Sequence, residues 1–232
     1  MSGTRSPRVR RARLVPVALT TAALCSALLG AAATGSLSAF EASITNASNT
    51  AESGSLVMKE LDANGDVVCS SSDGANNVSA SCTGVDEYGG TGNPFTPGST
   101  HATTIYIGNV GSSEVRSFAV KPGDCSRTAG PGTGSRATGD LCARLQLTLS
   151  CTPVRPDGTP TASSVTVYPG RTLSEIANAE VDLGSISAGC VPHASGANGV
   201  RLDFSVHMPD DQDNTVQGQT ASQPITWTFT GA

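Results

Sequence analysis

The residues that could perform chemistry are few and widely spaced. The three histidines are His101, His193 and His207, and none lies three or four positions from another, as the zinc motif H-E-x-x-H requires. The G-x-S-x-G pattern of serine hydrolases and the glycine-rich phosphate-binding patterns are absent as well. Because no motif brings a nucleophile, a base and an orienting group together, the sequence predicts a non-enzymatic protein without a cofactor.

Calcium-binding loops are the next candidates, because two acidic clusters offer oxygen ligands. Residues 62–66 (D-A-N-G-D) begin like an EF-hand loop, but Val67 stands where the sharp turn needs glycine. Asn64-Gly65 is instead typical of a tight β-hairpin turn, since both residues tolerate a positive φ. Three further aspartates follow Pro209 in a predicted loop, where a solvated acidic surface is the common outcome. We therefore assign no metal ligands from the sequence.

Cysteine spacing bears on the compartment in which the protein works. After residue 40 the chain has an even number of cysteines and no C-x-x-C pair, so disulfides explain them better than zinc or a thioredoxin-like site. Six cysteines allow fifteen sets of three disulfides, and we expect neighbours along the chain to pair. The expected pairs are Cys69 with Cys82, Cys125 with Cys142, and Cys151 with Cys190. Disulfides indicate an oxidising compartment outside the cytoplasm.

The first 39 residues are typical of an export signal. Five arginines lie within the first 13 positions, and no charged residue follows until Glu41. Small residues then offer two cleavage sites for signal peptidase, after Ala33 or after Ala39. The uncharged run from Leu14 to Gly30 is long enough to span a bilayer, so an uncleaved signal-anchor is the competing interpretation. With cleavage, we expect residues 40–232 to be secreted, without a stable membrane anchor and with an extracellular or cell-surface location.

Removal of this signal makes the chain strongly acidic. The full chain has 14 Lys and Arg against 19 Asp and Glu. Five of the arginines lie in the signal, so the exported part keeps nine basic residues against the same 19 acids, a net charge near −10. Proteins that bind nucleic acids or anionic membranes need clustered basic residues. We therefore expect neither nucleic acid nor a membrane surface as a partner.

Strand patterns dominate the exported part. Three segments alternate apolar and polar residues with the period of a half-buried strand: Leu141–Cys151, Val200–Met208 and Ile225–Phe229. Weaker strand patterns cover residues 55–61, 67–69, 103–109, 115–120 and 163–168. One short helix is predicted from Leu173 to about Ala177, because Thr172 and Glu175 have the spacing of a capping box. Together these elements predict an all-β fold, a jelly-roll-like antiparallel β-sandwich with residues 40–232 as a single domain.

Three short motifs span most of the chain after the signal. The first is Ala39-Phe40-Glu41 at the signal exit, followed by Gly54-Ser55-Leu56-Val57. The second is Phe95-Thr96-Pro97-Gly98, followed by Thr103–Ile107 and Asn109-Val110-Gly111-Ser112. The third joins Met208-Pro209-Asp210-Asp211, Asn214 and Gln217-Gly218 to the final strand pattern Ile225–Phe229. In this order they resemble the TasA/camelysin family of exported bacterial proteins. The resemblance implies a jelly-roll fold, a dedicated signal peptidase, and a structural role in extracellular fibres or biofilm matrix.

The same resemblance implies a mode of assembly. In fibres of this family, a segment just after the cleavage site adds as a strand to the next subunit, which is β-augmentation. Here that donor strand would lie within residues 40–50, with Phe40 and Ile44 as candidate anchors. Its partners would be other copies of this chain or other matrix proteins. Camelysin-like members carry a metallopeptidase label, but this sequence has no recognisable zinc-binding set, so the activity is not carried over.

A secreted surface-binding module is the alternative function. Its ligand would be a carbohydrate or a protein, bound by loops at one end of the sandwich. Aromatic residues make up only 4% of the chain, so platforms for a sugar ring are scarce. Tyr88, Phe95 and Tyr106 are the candidate platforms.

Overall fold

The computed structural model describes residues 45–46, 49–50, 54–74, 79–83, 85–129, 138–193, 196, 198–210 and 214–231. The chain divides into two compact units, Met1–Glu52 and Ser53–Ala232. In the first unit, strands β1 (Thr45–Asn46) and β2 (Asn49–Thr50) form a two-stranded antiparallel pair. The predicted signal and the predicted donor anchors Phe40 and Ile44 lie outside the described residues.

The larger sheet of the second unit has six antiparallel strands. In spatial order they are β4 (Val67–Ser70), β3 (Met58–Leu61), β5 (Thr100–Asn109), β11 (Gly199–His207), β8 (Gln146–Val154) and β9 (Val165–Thr172). The register shifts nowhere between β5 and β11 or between β11 and β8. Alternate residues of these three central strands therefore share one face of the sheet.

The smaller sheet of this unit has three antiparallel strands. Its order is β10 (Val181–Asp182), β6 (Val115–Pro122) and β13 (Ile225–Gly231). Strand β13 pairs with β6 from Ile225 to Gly231, whereas β10 pairs with only two residues of β6. A separate two-stranded sheet joins β7 (Ser126–Ala129) to β12 (Gln219–Ser222). The smaller sheet is thus built almost entirely on the β6–β13 pair.

The core lies between the larger and the smaller sheet. Inward residues of the central strands are almost fully buried: Ile105, Ile107, Leu147, Leu149, Leu202 and Phe204. Across from them, the Trp227 ring of β13 lies 6.3 Å from the Phe204 ring of β11 and 5.8 Å from the buried Phe118 ring of β6, measured between centroids. These aromatic contacts join the two sheets. The prediction of an all-β, antiparallel, sandwich-like fold is confirmed.

The structure differs from the predicted elements in several places, and strands β7, β10 and β12 are not among the predicted strands. The strand expected from Leu141 begins only at Gln146, because Asp140 accepts a hydrogen bond from the Cys142 N–H and caps a 3-10 turn over Leu141–Ala143. The expected capping box is present and opens helix α1 (Leu173–Ile176).

The structure has a second four-residue helix, α2 (Leu183–Ile186), so the prediction of a single short helix is wrong. Four residues are too short to show a helical periodicity, and the Asp182 side chain that caps α2 is a weak signal alone. Among the described helices, none is both long and apolar enough to cross a membrane.

Candidate functional site

The three histidines lie in separate surroundings. The His101 ring stacks on Phe95 at 4.0 Å, and its Nδ1 lies 3.0 Å from the Gly89 carbonyl oxygen. The Nδ1 of His207 lies 3.0 Å from the Thr100 hydroxyl, so this histidine belongs to the polar face of its strand. The Nδ1 of His193 lies 3.7 Å from a Glu114 carboxylate oxygen at the protein surface. Within the described ranges, no three His, Cys, Asp or Glu side chains are grouped to hold a metal ion.

A cleft of about 430 Å³ brings His193 near Ser185, Asp182 and Glu114. These residue types could form a nucleophilic site if the serine hydroxyl faced the imidazole. The Ser185 hydroxyl instead donates a hydrogen bond to the Asp182 carbonyl oxygen at 2.6 Å. The hydroxyl therefore stabilises the start of helix α2, and the described residues that line the cleft show no nucleophile–base pair.

The acidic hairpin at residues 62–66 is a structural turn. The Asp62 carboxylate accepts hydrogen bonds from the backbone N–H groups of Asn64 and Asp66, each at 2.9 Å. These bonds, led by the one from Asp66, hold the pKa of Asp62 below its usual range. Because the carboxylate is occupied by its own turn, the hairpin interpretation accounts for it without a cation. Of the second acidic cluster, Asp210 is described and residues 211–213 lie outside the described part.

The six cysteines after residue 40 form three disulfides. Cys69 pairs with Cys82, Cys125 with Cys142, and Cys151 with Cys190, which are the pairs of neighbours along the chain. The first disulfide ties the outermost strand β4 to the following loop. Three disulfides are typical of proteins that fold in an oxidising compartment.

Glu60 and Glu87 are two half-buried carboxyl groups that interact electrostatically. Glu60 of β3 stands opposite Cys69 in the sheet register. Burial, together with the nearby Glu87 carboxylate, raises the pKa of Glu60 to about 7. Burial also raises the pKa of Glu87. We therefore expect the stability of the fold to depend on pH in the neutral range.

Strand β13 carries the most distinctive surface among the described residues. Its sequence, I-T-W-T-F-T-G, contains no charged residue and no proline. Ile225, Trp227 and Phe229 are half-buried against the core, while the threonines between them are exposed. Beside the Trp227 contacts, the Phe229 ring meets the Phe118 ring edge-on at 5.1 Å between centroids. The inner face of β13 is therefore firmly anchored.

One backbone side of β13 has no partner among the described strands, because β13 pairs only with β6. We call this side, over residues 225–231, the free edge. An edge strand presents a row of N–H and C=O groups that another strand can pair with. The free edge is seven residues long and carries no side chain that repels an incoming strand.

The other outer strands are blunted. Strand β9 contains Pro169, Gly170 with φ of +66° and Arg171, and its register against β8 shifts twice. Strand β4 has four residues and is tied by the Cys69–Cys82 disulfide, and β10 has two. Short strands, prolines, charges and irregularities are the usual devices that protect a sheet edge. Apart from a bulge before Gly231, β13 carries none of these devices, which makes the free edge the candidate functional site.

The aromatic platforms expected from the sequence are only partly available. Tyr88 packs against the core and donates a hydrogen bond to the Gln223 side-chain oxygen at 2.8 Å. Phe95 stacks on His101. Tyr106 lines a surface cleft on the larger sheet. Of the three candidate platforms, Tyr106 therefore lies at a described cleft.

No protein-family model and no curated protein matches this chain.

Proposed function

We propose that the chain is a secreted, non-enzymatic structural protein that assembles into extracellular fibres or matrix by adding a strand at the free edge. The observation that carries this proposal is the uncharged, seven-residue free edge of β13, held in place by Trp227 and Phe229. The disulfides support an extracellular location. The resemblance to the TasA/camelysin family supports a jelly-roll topology and a role in biofilm matrix.

The incoming strand in this proposal is residues 40–50 of another copy, released by cleavage after Ala39. Phe40 and Ile44 are four positions apart, so an extended strand would place both side chains on one face. Backbone hydrogen bonds would supply affinity, and the two apolar side chains would set the register. Strands β1 and β2 pair with each other over two residues each, so a donor that reaches residue 50 must first open this short pairing.

The experiment compares assembly of the chain that begins at Phe40 with that of three variants. Electron microscopy and sedimentation would be measured for the starting chain, for Thr228→Lys, for Thr166→Lys and for a chain that begins at Ala51. Thr228 is exposed on β13 and Thr166 is exposed on β9. A charge on the free edge opposes pairing, whereas a charge on the already irregular β9 changes little.

We expect fibres from the starting chain and from Thr166→Lys. Assembled material should fall clearly for Thr228→Lys, because a lysine on an edge strand is one of the devices by which proteins oppose strand addition. The chain that begins at Ala51 should remain monomeric. Monomers from the starting chain under all conditions, or equal assembly by both lysine variants, would refute the proposal.

A further inference from the structure

A groove on the larger sheet has features that the assembly proposal does not use. It has a volume of about 510 Å³ and lies between the turn at residues 62–66 and the turn at residues 155–158. Tyr106 and Gly108 line it, and they alternate along β5 with the buried Ile105 and Ile107. The groove therefore opens on the outer face of the sheet, away from the core. Its size is within the range of small-molecule sites. We call it the outer groove.

Gly108 is the feature of the outer groove that the fold does not require. A Cβ built on Gly108 would meet nothing within 4 Å, and its φ is not in the left-handed region. Glycine inside a strand costs stability, and it commonly marks a place where a ligand or another backbone comes close. Neither packing nor backbone geometry within the described chain explains this glycine. Its effect is to leave the floor of the groove bare beside the Tyr106 ring.

The walls of the outer groove are held by hydrogen-bonded turns. On one side, the Asp62 carboxylate closes the 62–66 hairpin through two backbone bonds. On the other, the Arg155 N–H donates to the Thr159 carbonyl oxygen and the Asp157 carboxylate accepts from the Thr159 N–H, both at 2.9 Å. A groove with fixed walls loses little entropy when it binds a ligand.

The polar lining has two cations and one anion. Lys59, Arg155 and Asp157 line the groove, and within the described part of the chain neither cation has a carboxylate oxygen within 4.0 Å. Asp157 offsets one of these charges, since the Arg155 charge, after the hydrogen bonds from Thr159, helps to lower the pKa of Asp157. The charged lining therefore keeps one net positive charge on a chain with only nine basic residues after the signal. A positive site of this kind favours an anionic ligand.

Exposed apolar side chains are concentrated at the same place. Three large hydrophobic residues are exposed in the described ranges, and two of them, Val67 at 51% and Val110 at 44%, line the outer groove. With Tyr106 they form an apolar surface next to the charged walls. A ligand that fits must therefore combine an apolar face with a negative charge.

We propose that the outer groove binds an acidic saccharide, a sugar chain that carries carboxylate groups. A pyranose ring has an apolar face that packs on an aromatic ring, as Tyr106 and the bare Gly108 floor allow. Lys59 and Arg155 would bind the sugar carboxylate, and Asn64 and Asp157 would bind its hydroxyl groups.

An acidic peptide fits the groove less well than a sugar does. Strand β5 is paired on both sides, with β3 and with β11, so its backbone offers no ladder to an extended peptide. Recognition must then use side chains and a flat floor, which suits a ring. The outer groove is on the larger sheet and the free edge is on the smaller one, so the two proposals can fail independently.

The test is calorimetric titration of the chain that begins at Phe40 with a tetramer of galacturonic acid. The comparison ligands are a neutral tetramer of glucose and a peptide of four glutamates. The variants are Gly108→Leu, which fills the floor, the double variant Lys59→Gln/Arg155→Gln, and the control Arg144→Gln. Arg144 is an exposed cation that does not line the groove. Thermal melting checks that each variant folds, and the double variant changes only surface side chains.

We expect saturable binding of the galacturonate tetramer with a Kd of about 1 mM or lower, which corresponds to roughly 4 kcal/mol. Binding should weaken about tenfold or more in Gly108→Leu and in the double variant, and should be unchanged in Arg144→Gln. The neutral tetramer should bind at least about fivefold more weakly, for want of a carboxylate. The proposal fails if galacturonate does not bind, if the glutamate peptide binds equally well, or if the double variant binds like the starting chain.

Discussion

The two long outer strands of the sandwich, β13 and β9, have similar lengths but opposite character. Strand β9 has eight residues and carries Pro169, Gly170 and Arg171, and its pairing with β8 is irregular. Strand β13 has seven residues, alternates aromatic or aliphatic residues with threonine, and bulges only at its last step. The same chain therefore protects one long edge and leaves the other open. An open edge is a hazard for a monomeric protein, and the proposed strand addition would cover it.

The two strands also differ in how they are supported from within. The inward aromatics of β13 are packed against Phe118, which is completely buried. On β9, Tyr168 is buried and its hydroxyl donates a hydrogen bond to the Ala179 carbonyl oxygen at 2.7 Å. Packing thus fixes the open edge, while a polar contact contributes to fixing the protected one. We therefore expect substitutions in different parts of the sandwich to lower the free energy of unfolding by different amounts.

The largest effect is expected at Phe118. Phe118→Ala removes the ring behind both Trp227 and Phe229 and should lower the free energy of unfolding by about 3–5 kcal/mol. Tyr168→Phe, on the protected strand, removes only one hydrogen bond and should cost about 1 kcal/mol. Chemical denaturation of both variants measures the difference. Equal losses would mean that the two edges do not differ in their internal support.

The second largest loss of stability is expected at the short edge strand β4. The double variant Cys69→Ala/Cys82→Ala opens a loop with a sequence separation of 13 and should cost about 2–4 kcal/mol. It also removes a device that blunts this edge, so off-pathway association should increase at the same protein concentration. Denaturation and light scattering check the two parts. An unchanged free energy of unfolding would show that the Cys69–Cys82 disulfide does not stabilise the fold.

The dependence of stability on pH comes from Glu60, on the β3 strand next to β4. Its pKa in the folded state is about 7 against an ordinary 4.5, because burial and the Glu87 carboxylate disfavour the charged form. A raised pKa of a carboxyl group means that its stabilising contribution is complete below pH 4.5 and is lost as the pH rises through 7.

Between pH 5 and pH 8 we therefore expect the free energy of unfolding to fall by about 1–2 kcal/mol, a value reduced from the full linkage because the group is partly solvated. Glu60→Gln should remove most of this slope. Glu175→Gln is the matched control, since hydrogen bonds from Thr172 lower the pKa of Glu175 and its contribution is lost in acid instead. A stability that rises from pH 5 to pH 8 in the starting chain would contradict this account.

The smallest effect on the free energy of unfolding is expected for Thr228→Lys, although this substitution should have the largest effect on assembly. Thr228→Lys changes an exposed side chain, so the free energy of unfolding should stay within about 0.5 kcal/mol of the starting chain. Denaturant midpoints for Thr228→Lys and Thr166→Lys should therefore agree. If Thr228→Lys unfolds the protein, its loss of assembly says nothing about the free edge.

The strand itself could be predicted from the sequence, because Ile225, Trp227 and Phe229 alternate with threonines. Its position at the side of a sheet could not, since that depends on which distant strands pair. The same limit applies to the platforms. The sequence does not distinguish Tyr88 from Tyr106 as a binding platform. In the structure, Tyr88 packs on the core beside Gln223, whereas Tyr106 lines a surface groove. Only the pairing of β5 with β3 and β11 shows that Gly108 lies beside Tyr106 in an open groove.

Local signals were more reliable where both partners are close in the chain. Thr172 and Glu175 form the expected capping box, and Asn64-Gly65 lies in the expected hairpin turn. The four-residue helix after Asp182 was missed, because one capping residue and four positions carry too little pattern. Local hydrogen bonds can thus be inferred from spacing, whereas edges and grooves require the complete order of the strands.

The most direct test of the free edge is amide hydrogen exchange measured on monomer and on assembled material. Peptides covering residues 225–231 report the free edge, and peptides covering residues 165–172 report the protected strand. Strand addition should slow exchange in 225–231 by about tenfold or more on assembly and leave 165–172 unchanged, because newly paired N–H groups become protected. Assembled material with unchanged exchange in 225–231, or with new protection in 165–172 instead, would contradict the account.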